Sequence, residues 1–268
     1  MKSKNTEMPF LDHLEELRRR LIKCIGSVIL FTFVAFPFIN LVLNLLTYPN
    51  DKLEKPAEMI FLKPTGMLIV RLQIAITLGV IVSIPVLFYQ FWSFIAPGLL
   101  EKEKKYFLPG LFFTTLCFLG GIAFSYFILI PIVLPFLFSM GTETINPKIN
   151  INDYLGFVLR IIILSGIIFE LPVLSFFISR IGILTPSFLK KYRKYSIIVV
   201  LIISALITPP DPISQLLMAG PLVILYEISI LVSHFGIYLK KRSDMKWEKK
   251  FDDQQKNKSP SSKSKYQG

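Results

Sequence analysis

The chain has 268 residues, 53% of them hydrophobic, with a formal net charge of +12 and a mean hydropathy of +0.57. Only 18% of residues are charged, which excludes a disordered chain and argues against a water-soluble one. A basic excess can mark nucleic-acid binding, so the location of the positive charge decides between that reading and membrane orientation.

Ahead of the first apolar block, residues 9–23 (PFLDHLEELRRRLIK) predict an amphipathic helix. Phe10, Leu14, Leu17 and Leu21 fall on one stripe, and Asp12 with Glu15 forms a candidate capping pair. Early acids and late arginines complement the helix dipole. Glu15–Arg19 and Glu16–Arg20 have the spacing of helical ion pairs. On these grounds alone the segment is an interfacial helix.

A helix needs about 20 apolar residues to cross a bilayer. Residues 24–46 and 67–91 meet that length, the second containing Arg71, Gln73 and Pro85. The loop that follows (FWSFIAPGLLEKEKKY) carries Phe94, a Pro97-Gly98 break, and Glu101 and Glu103 among lysines. It reads either as a solvated turn anchored by Trp92 and Tyr106 or as carboxylates offered to a cationic ligand. Block 107–138 is too long for one span, and Pro131 and Pro135 are expected to end its helix early. Block 154–178 holds Arg160 and Glu170. These lie ten positions apart, off a common helix face, so no direct pair is expected.

The last block, 196–233, is interrupted by Thr208-Pro209-Pro210-Asp211-Pro212, a tight hairpin. Its first arm, 196–207, would reach only about 18 Å, so the bilayer must thin there or protein must shield it. Both arms together give six spans. From about Ser243 the composition turns to Lys, Gln, Asn and Ser, which predicts a disordered tail.

Charge then sets orientation. Residues 1–20, 92–105, 180–194 and the tail from Gly236 hold 23 Lys and Arg, whereas the alternating loops hold 4. Both termini are therefore expected on the side of synthesis, the cytoplasm in a bacterium, and the basic charge calls for no nucleic acid. No cleavable signal or transit peptide is expected. No internal repeat is found, which counts against an inverted-repeat transporter. Cys24 and Cys117 lie far apart in apolar runs, and His13 and His234 complete the inventory of soft ligands, so neither a metal nor a cofactor is expected.

Acids at membrane depth are expensive and usually face a cavity, a partner or a counter-charge. Glu170 fits a cavity or partner role. Glu227 could equally snorkel toward Lys240 or Lys241. Asp211 sits at the hairpin tip, and Gln215 soon after it suits hydrogen bonding to another membrane helix.

Four motifs then coincide in order: HLEELRRRL at 13–21, YQFWSFIAPGL at 89–99, FELPV at 169–173 and TPPDPISQ at 208–215. Together they resemble the TatC family, the multispanning core of the twin-arginine protein translocase, over residues 9–241. The resemblance implies an all-α integral membrane protein with six transmembrane helices and both termini inside. The last two helices are expected to be short and joined by the Pro-rich hairpin. It divides the chain into a cytoplasmic amphipathic segment (1–20), a six-span membrane domain (21–242) and a disordered basic tail (243–268).

The resemblance further implies a non-enzymatic receptor and scaffold. It would bind twin-arginine signal peptides on the cytoplasmic face and export folded proteins with the proton-motive force. By motif match, Glu16 and Glu103 would contribute to recognition, with Arg18 and Phe94 beside them, the assignment of Glu16 over Glu15 resting on the register of Leu17-Arg18. Two guanidinium groups are well matched by carboxylates. Glu170 matches the family's intramembrane glutamate. Thr208 and Gln215 match the surface where TatA- and TatB-type single-span subunits dock in an oligomeric complex. The expected location is the bacterial inner membrane, or a thylakoid membrane for a plastid-encoded chain. The competing reading from the residues is a proton-coupled secondary transporter using Glu170 as a relay.

Overall fold

The computed structural model describes residues 10–95, 107–139, 148–207 and 211–258. Helix α1 (Phe10–Ala35) carries the amphipathic stretch directly into the first apolar block, so the two are one rod. Asp12 lies within its first turn, and the expected Asp12–Glu15 cap is not made because Phe10 already opens the helix. Leu14, Leu17 and Leu21 are exposed, so the stripe faces away from the protein, as on a helix bedded in lipid. A 3-10 turn at Phe36–Phe38 contains Pro37 and leads into α2 (Ile39–Asp51). Pro49 inside α2 has no N–H for the Leu45 carbonyl four residues back. The Tyr126 hydroxyl donates to that carbonyl instead, at 2.8 Å.

After the short strand β1 (Glu58–Ile60), α3 (Gly66–Ile95) forms the second long rod. The third block does not stop at its prolines. It runs as α4 (Phe107–Phe124), a π turn (Ser125–Leu129) and α5 (Ile130–Ser139). The π turn explains the correction. Ile130 donates its N–H to the Ser125 carbonyl, which places Pro131 in the first turn of α5, where a missing N–H is tolerated. Pro135, inside α5, removes the in-helix donor of the Pro131 carbonyl.

Strand β2 (Lys148–Asn150) pairs in parallel with β1, Met59 opposite Ile149, and Lys148 reaches Glu58 at 3.0 Å. This ladder is an addition to the expected all-α architecture, and three-residue strands are too short to show periodicity in sequence. The Asn50 side chain folds the loop before β1, donating to the Ala57 carbonyl and accepting from its N–H at 3.2 and 3.0 Å.

The fourth block is α6 (Ile151–Ile168) and α7 (Glu170–Ile181), stepped at Phe169. Pro172 has no N–H to offer the Ile168 carbonyl, which accounts for the step. α7 ends at Gly182, whose φ of 96° is the left-handed closure that favours glycine. Short α8 (Pro186–Lys191) is capped by Thr185, and α9 (Arg193–Ile207) follows. The last helix, α10 (Pro212–Lys258), has 47 residues and is not short as expected. It continues through 243–258, the first part of the stretch that composition reads as a disordered tail. Extending an existing helix avoids the nucleation penalty, and Lys, Glu and Gln are good helix formers.

Among the described residues, five helical segments are long and apolar enough to cross a membrane: Asp12–Asp51, Gly66–Ile95, Leu108–Ser139, Ile151–Ile181 and Pro212–Arg242. α9, with 15 residues, spans about 22 Å. The largest core cluster joins α2, α3, α5 and α6 through Leu46, Ile74, Ile130, Val133, Leu155 and Ile161. Phe33, Phe112, Phe127 and Leu231 point outward, a distribution suited to hydrocarbon surroundings. Buried hydroxyls mostly turn back on their own helix: Ser83, Thr114, Ser125, Ser204 and Ser229 each bond a carbonyl three or four residues earlier. Close helix approach falls at small residues, as lipid-embedded packing requires. A Cβ at Gly121 would stand 2.7 Å from the Ser165 carbonyl oxygen and 2.9 Å from Gly166 Cα, whereas one at Gly120 would meet nothing within 4 Å.

These adjacent glycines make a matched test. Gly121→Ala is expected to destabilise the protein by about 1–3 kcal/mol, and Gly120→Ala to leave it unchanged or stabilise it by up to about 1 kcal/mol, alanine being the better helix former. Thermal unfolding of the two variants in detergent measures the difference.

Candidate functional site

Three groups of sequence-predicted residues are placed by this fold. The first lies where the start of α1 meets the end of α3. Arg20 donates from Nε to Glu16 Oε1 at 2.9 Å and also from Nη2, while its Nη1 reaches Gln90 Oε1 at 3.3 Å. One guanidinium thus ties Glu16 on α1 to Gln90 on α3. Four residues along the same face of α3, Phe94 stacks on His13 with ring centroids 4.3 Å apart and planes 17° from parallel. His13 Nδ1 lies 3.9 Å from Glu16 Oε2. That second oxygen is shut off from solvent without a hydrogen-bond partner among the described residues.

Glu15 pairs outward with Arg19, and Asp12, Glu15, Glu16 and Arg19 line a cleft of about 300 Å³. The helical pairs Glu15–Arg19 and Glu16–Arg20 both form as their spacing predicts. The structure therefore brings Glu16 and Phe94 together, leaves Arg18 exposed on α1, and adds His13 and Gln90. Sequence reasoning passed over both additions. The i, i+4 relation of Gln90 to Phe94 and the position of His13 one turn before Glu16 were the available signals. Glu103 lies outside the described residues.

The second group surrounds Glu170. At 6% exposure its carboxylate is enclosed, and neither oxygen has a hydrogen-bond partner among the described residues. It lines a cavity of about 350 Å³ between α3, α4, α6 and α7, with Ile84, Phe88, Phe118, Ile167 and Leu174 supplying apolar walls. Trp92, 3% exposed, borders the same cavity, and its Nε1 has no hydrogen-bond partner among the described residues. The step at Phe169 is what turns Glu170 inward at the head of α7. Arg160 is exposed on α6 and forms no ion pair with Glu170.

The third group is the hairpin. Asp211 caps α10: its Oδ1 accepts from the Ser214 N–H at 2.8 Å and its carbonyl from the Gln215 N–H at 3.2 Å. The Ser214 side chain and backbone N–H hold the Asp211 carboxyl below the usual carboxylate range. The ionised cap is in place above the ordinary carboxylate range and is lost as pH falls through the lowered value. Gln215 donates from Nε2 to the Leu201 carbonyl at 3.0 Å, so its amide is used between α9 and α10. Glu227 does not snorkel toward Lys240 or Lys241. It pairs with Arg193 at the head of α9, and Lys240 instead donates to the Ile181 carbonyl at 2.7 Å. The reason is reach: a residue on the neighbouring helix meets Glu227 directly, while Lys240 lies over the open end of α7. Thr208 lies outside the described residues.

The fold and these groups define a helical membrane protein with one carboxylate bridged between two helices at an end of the bundle and a second enclosed within it. Residues 12–221 match the family model described as Sec-independent protein translocase protein (TatC). The Carboxydothermus hydrogenoformans Sec-independent protein translocase protein TatC is 38% identical over 229 residues, covering 85% of this chain and 93% of that protein. The Bacillus subtilis protein TatCy is 39% identical over 231 residues, covering 86% and 90%. A crystal structure of the twin-arginine translocase receptor TatC superposes with a TM-score of 0.78 at 38% identity, covering 84% of this chain and 99% of that one. The chain belongs to the TatC family of protein translocase components.

Two measurements test the geometry of these groups. Asp211→Ala is expected to speed amide hydrogen exchange at Ser214, while Asp211→Asn, an equally good cap, keeps it protected. Glu170→Leu is expected to stabilise the detergent-solubilised protein by about 1–3 kcal/mol, because it removes an enclosed polar group without a partner. Calorimetry of that variant reads the sign.

Proposed function

We propose that this chain is the receptor and scaffold subunit of a twin-arginine translocase in the bacterial inner membrane. It binds the arginine pair of signal peptides at its cytoplasmic face and has no enzymatic activity of its own. The observation that carries this reading is the end of the bundle where Glu16, Arg20, Gln90, His13 and Phe94 converge. A carboxylate already shaped around a guanidinium is the chemistry an incoming arginine requires.

The site is completed by Glu103, with Arg18 and Phe94 at its edge. The basic bias of residues 1–20, 92–105, 180–194 and the tail supports a six-span topology with both termini cytoplasmic, α9 being the short fifth span. TatA- and TatB-type single-span subunits dock at the short hairpin near Thr208 and Gln215, and Glu170 contributes a polar group within the membrane. Folded cargo then crosses at the expense of the proton-motive force.

The reading is tested by co-purifying a twin-arginine signal peptide with the detergent-solubilised protein. Glu16→Ala and Glu103→Gln are each expected to weaken capture by tenfold or so, on the order of one charge-assisted pair, and the double variant to abolish it. Undiminished capture by the double variant contradicts the assignment.

A further inference from the structure

Glu16 is occupied in the unliganded protein. Its Oε1 accepts twice from Arg20, and its Oε2 is shut away from solvent beside His13. With Oε2 closed to solvent, a ligand guanidinium reaches this carboxylate through Oε1, which Arg20 occupies. A partner for Arg20 is already in place: Gln90 Oε1 lies 3.3 Å from the one guanidinium nitrogen that does not serve Glu16. The Arg20 and Glu16 side chains are about one-fifth exposed, in contrast to the solvent-facing Arg19–Glu15 pair, so the contact is partly protected from water and salt.

We propose that Arg20 is a resident competitor for Glu16, and that Gln90 is the positioning residue that receives Arg20 when a ligand arginine displaces it. The inference rests on Glu16 being a ligand carboxylate, as proposed above. The exchange involves no covalent step: Arg20 gives up its two bonds to Oε1, keeps the one to Gln90, and the ligand takes over the carboxylate.

The consequence is a threshold on affinity. Breaking the Arg20–Glu16 pair costs every ligand the same free energy, so the resident arginine weakens an arginine ligand and a lysine ligand by one common factor. The preference between them comes from the ligand itself: an arginine offers the same planar fork as Arg20 and can replace it bond for bond, while a lysine offers a compact, strongly hydrated charge. Gln90 lowers the common penalty because its 3.3 Å contact with Arg20 can tighten once Glu16 is given up.

The test titrates the full-length protein in nanodiscs with a fluorescent twin-arginine signal peptide and with its Lys-Lys counterpart. The wild-type protein is expected to prefer the arginine peptide. In Arg20→Gln both peptides bind about tenfold more tightly and the ratio of their affinities is unchanged. Arg20→Lys, which keeps the charge and removes the fork, tightens both peptides in the same direction and carries the test if Arg20→Gln fails to fold. Gln90→Leu weakens the arginine peptide several-fold, and that loss disappears when it is combined with the Arg20 substitution, since no guanidinium then needs a receiver.

Two outcomes overturn the proposal while leaving the receptor reading intact: no gain in affinity in the Arg20 variants, or a Gln90→Leu effect that persists in the double variant. A Glu16→Gln control separates the other failure. If it binds both peptides like wild type, Glu16 is not the ligand carboxylate and both readings fall together.

Discussion

Hydrocarbon will not hold an unpaired charge or an unpaired peptide group without a penalty of several kcal/mol. The distribution of polar atoms in this chain follows from that constraint. Serine and threonine hydroxyls bond carbonyls of their own helices, and the Leu45 carbonyl stripped of its donor by Pro49 receives one from Tyr126. The prolines of the third block are accommodated by a π turn that shifts the ladder. Bases are confined mostly to one set of loops. Where an acid enters the bundle it is paired, as Glu227 is with Arg193, or enclosed, as Glu170 is at the wall of a cavity.

Against that background Glu16 stands out by its partners more than by its depth. It is joined to a second helix through Arg20 and Gln90, beside a His13–Phe94 stack that closes the same junction. The contact ties the start of α1 to the end of α3, two rods that also approach closely at Thr32 and Gly79 further along. Because α1 is continuous from Phe10 to Ala35, a change at this junction acts on a helix that also spans the membrane. The proposed release of Arg20 from Glu16, with Gln90 retaining it, would therefore couple ligand capture to the seam between the first two rods.

Much of this organisation was legible in the sequence because its signals are local. Long apolar runs marked the spans, the i, i+4 spacing of Glu16 and Arg20 marked their pair, and the proline run at 208–212 marked the hairpin. What stayed hidden depends on distant partners or on small backbone adjustments. Proline alone could not distinguish a helix end from a π turn followed by a fresh first turn at Pro131. The step that turns Glu170 inward comes from Pro172 acting on a carbonyl within the same apolar run. The β1–β2 ladder joins residues some ninety positions apart, and Arg193 reaches Glu227 across a hairpin. Composition suggested disorder after Ser243 because it registers the lack of apolar residues and not the presence of a helix to extend. At the candidate site, motif resemblance supplied Glu16 and Phe94, whereas Gln90 and His13 emerged only when α1 and α3 were set side by side.

The central claim is that the carboxylate of Glu16 recognises a ligand arginine on the cytoplasmic rim. A charge-exchange experiment addresses it most directly: pair Glu16→Arg with a signal peptide whose arginines are replaced by glutamates, and measure co-purification of all four combinations. The account predicts that Glu16→Arg loses the native peptide and gains the acidic one relative to wild type. Equal capture of the native peptide by wild type and Glu16→Arg would contradict it.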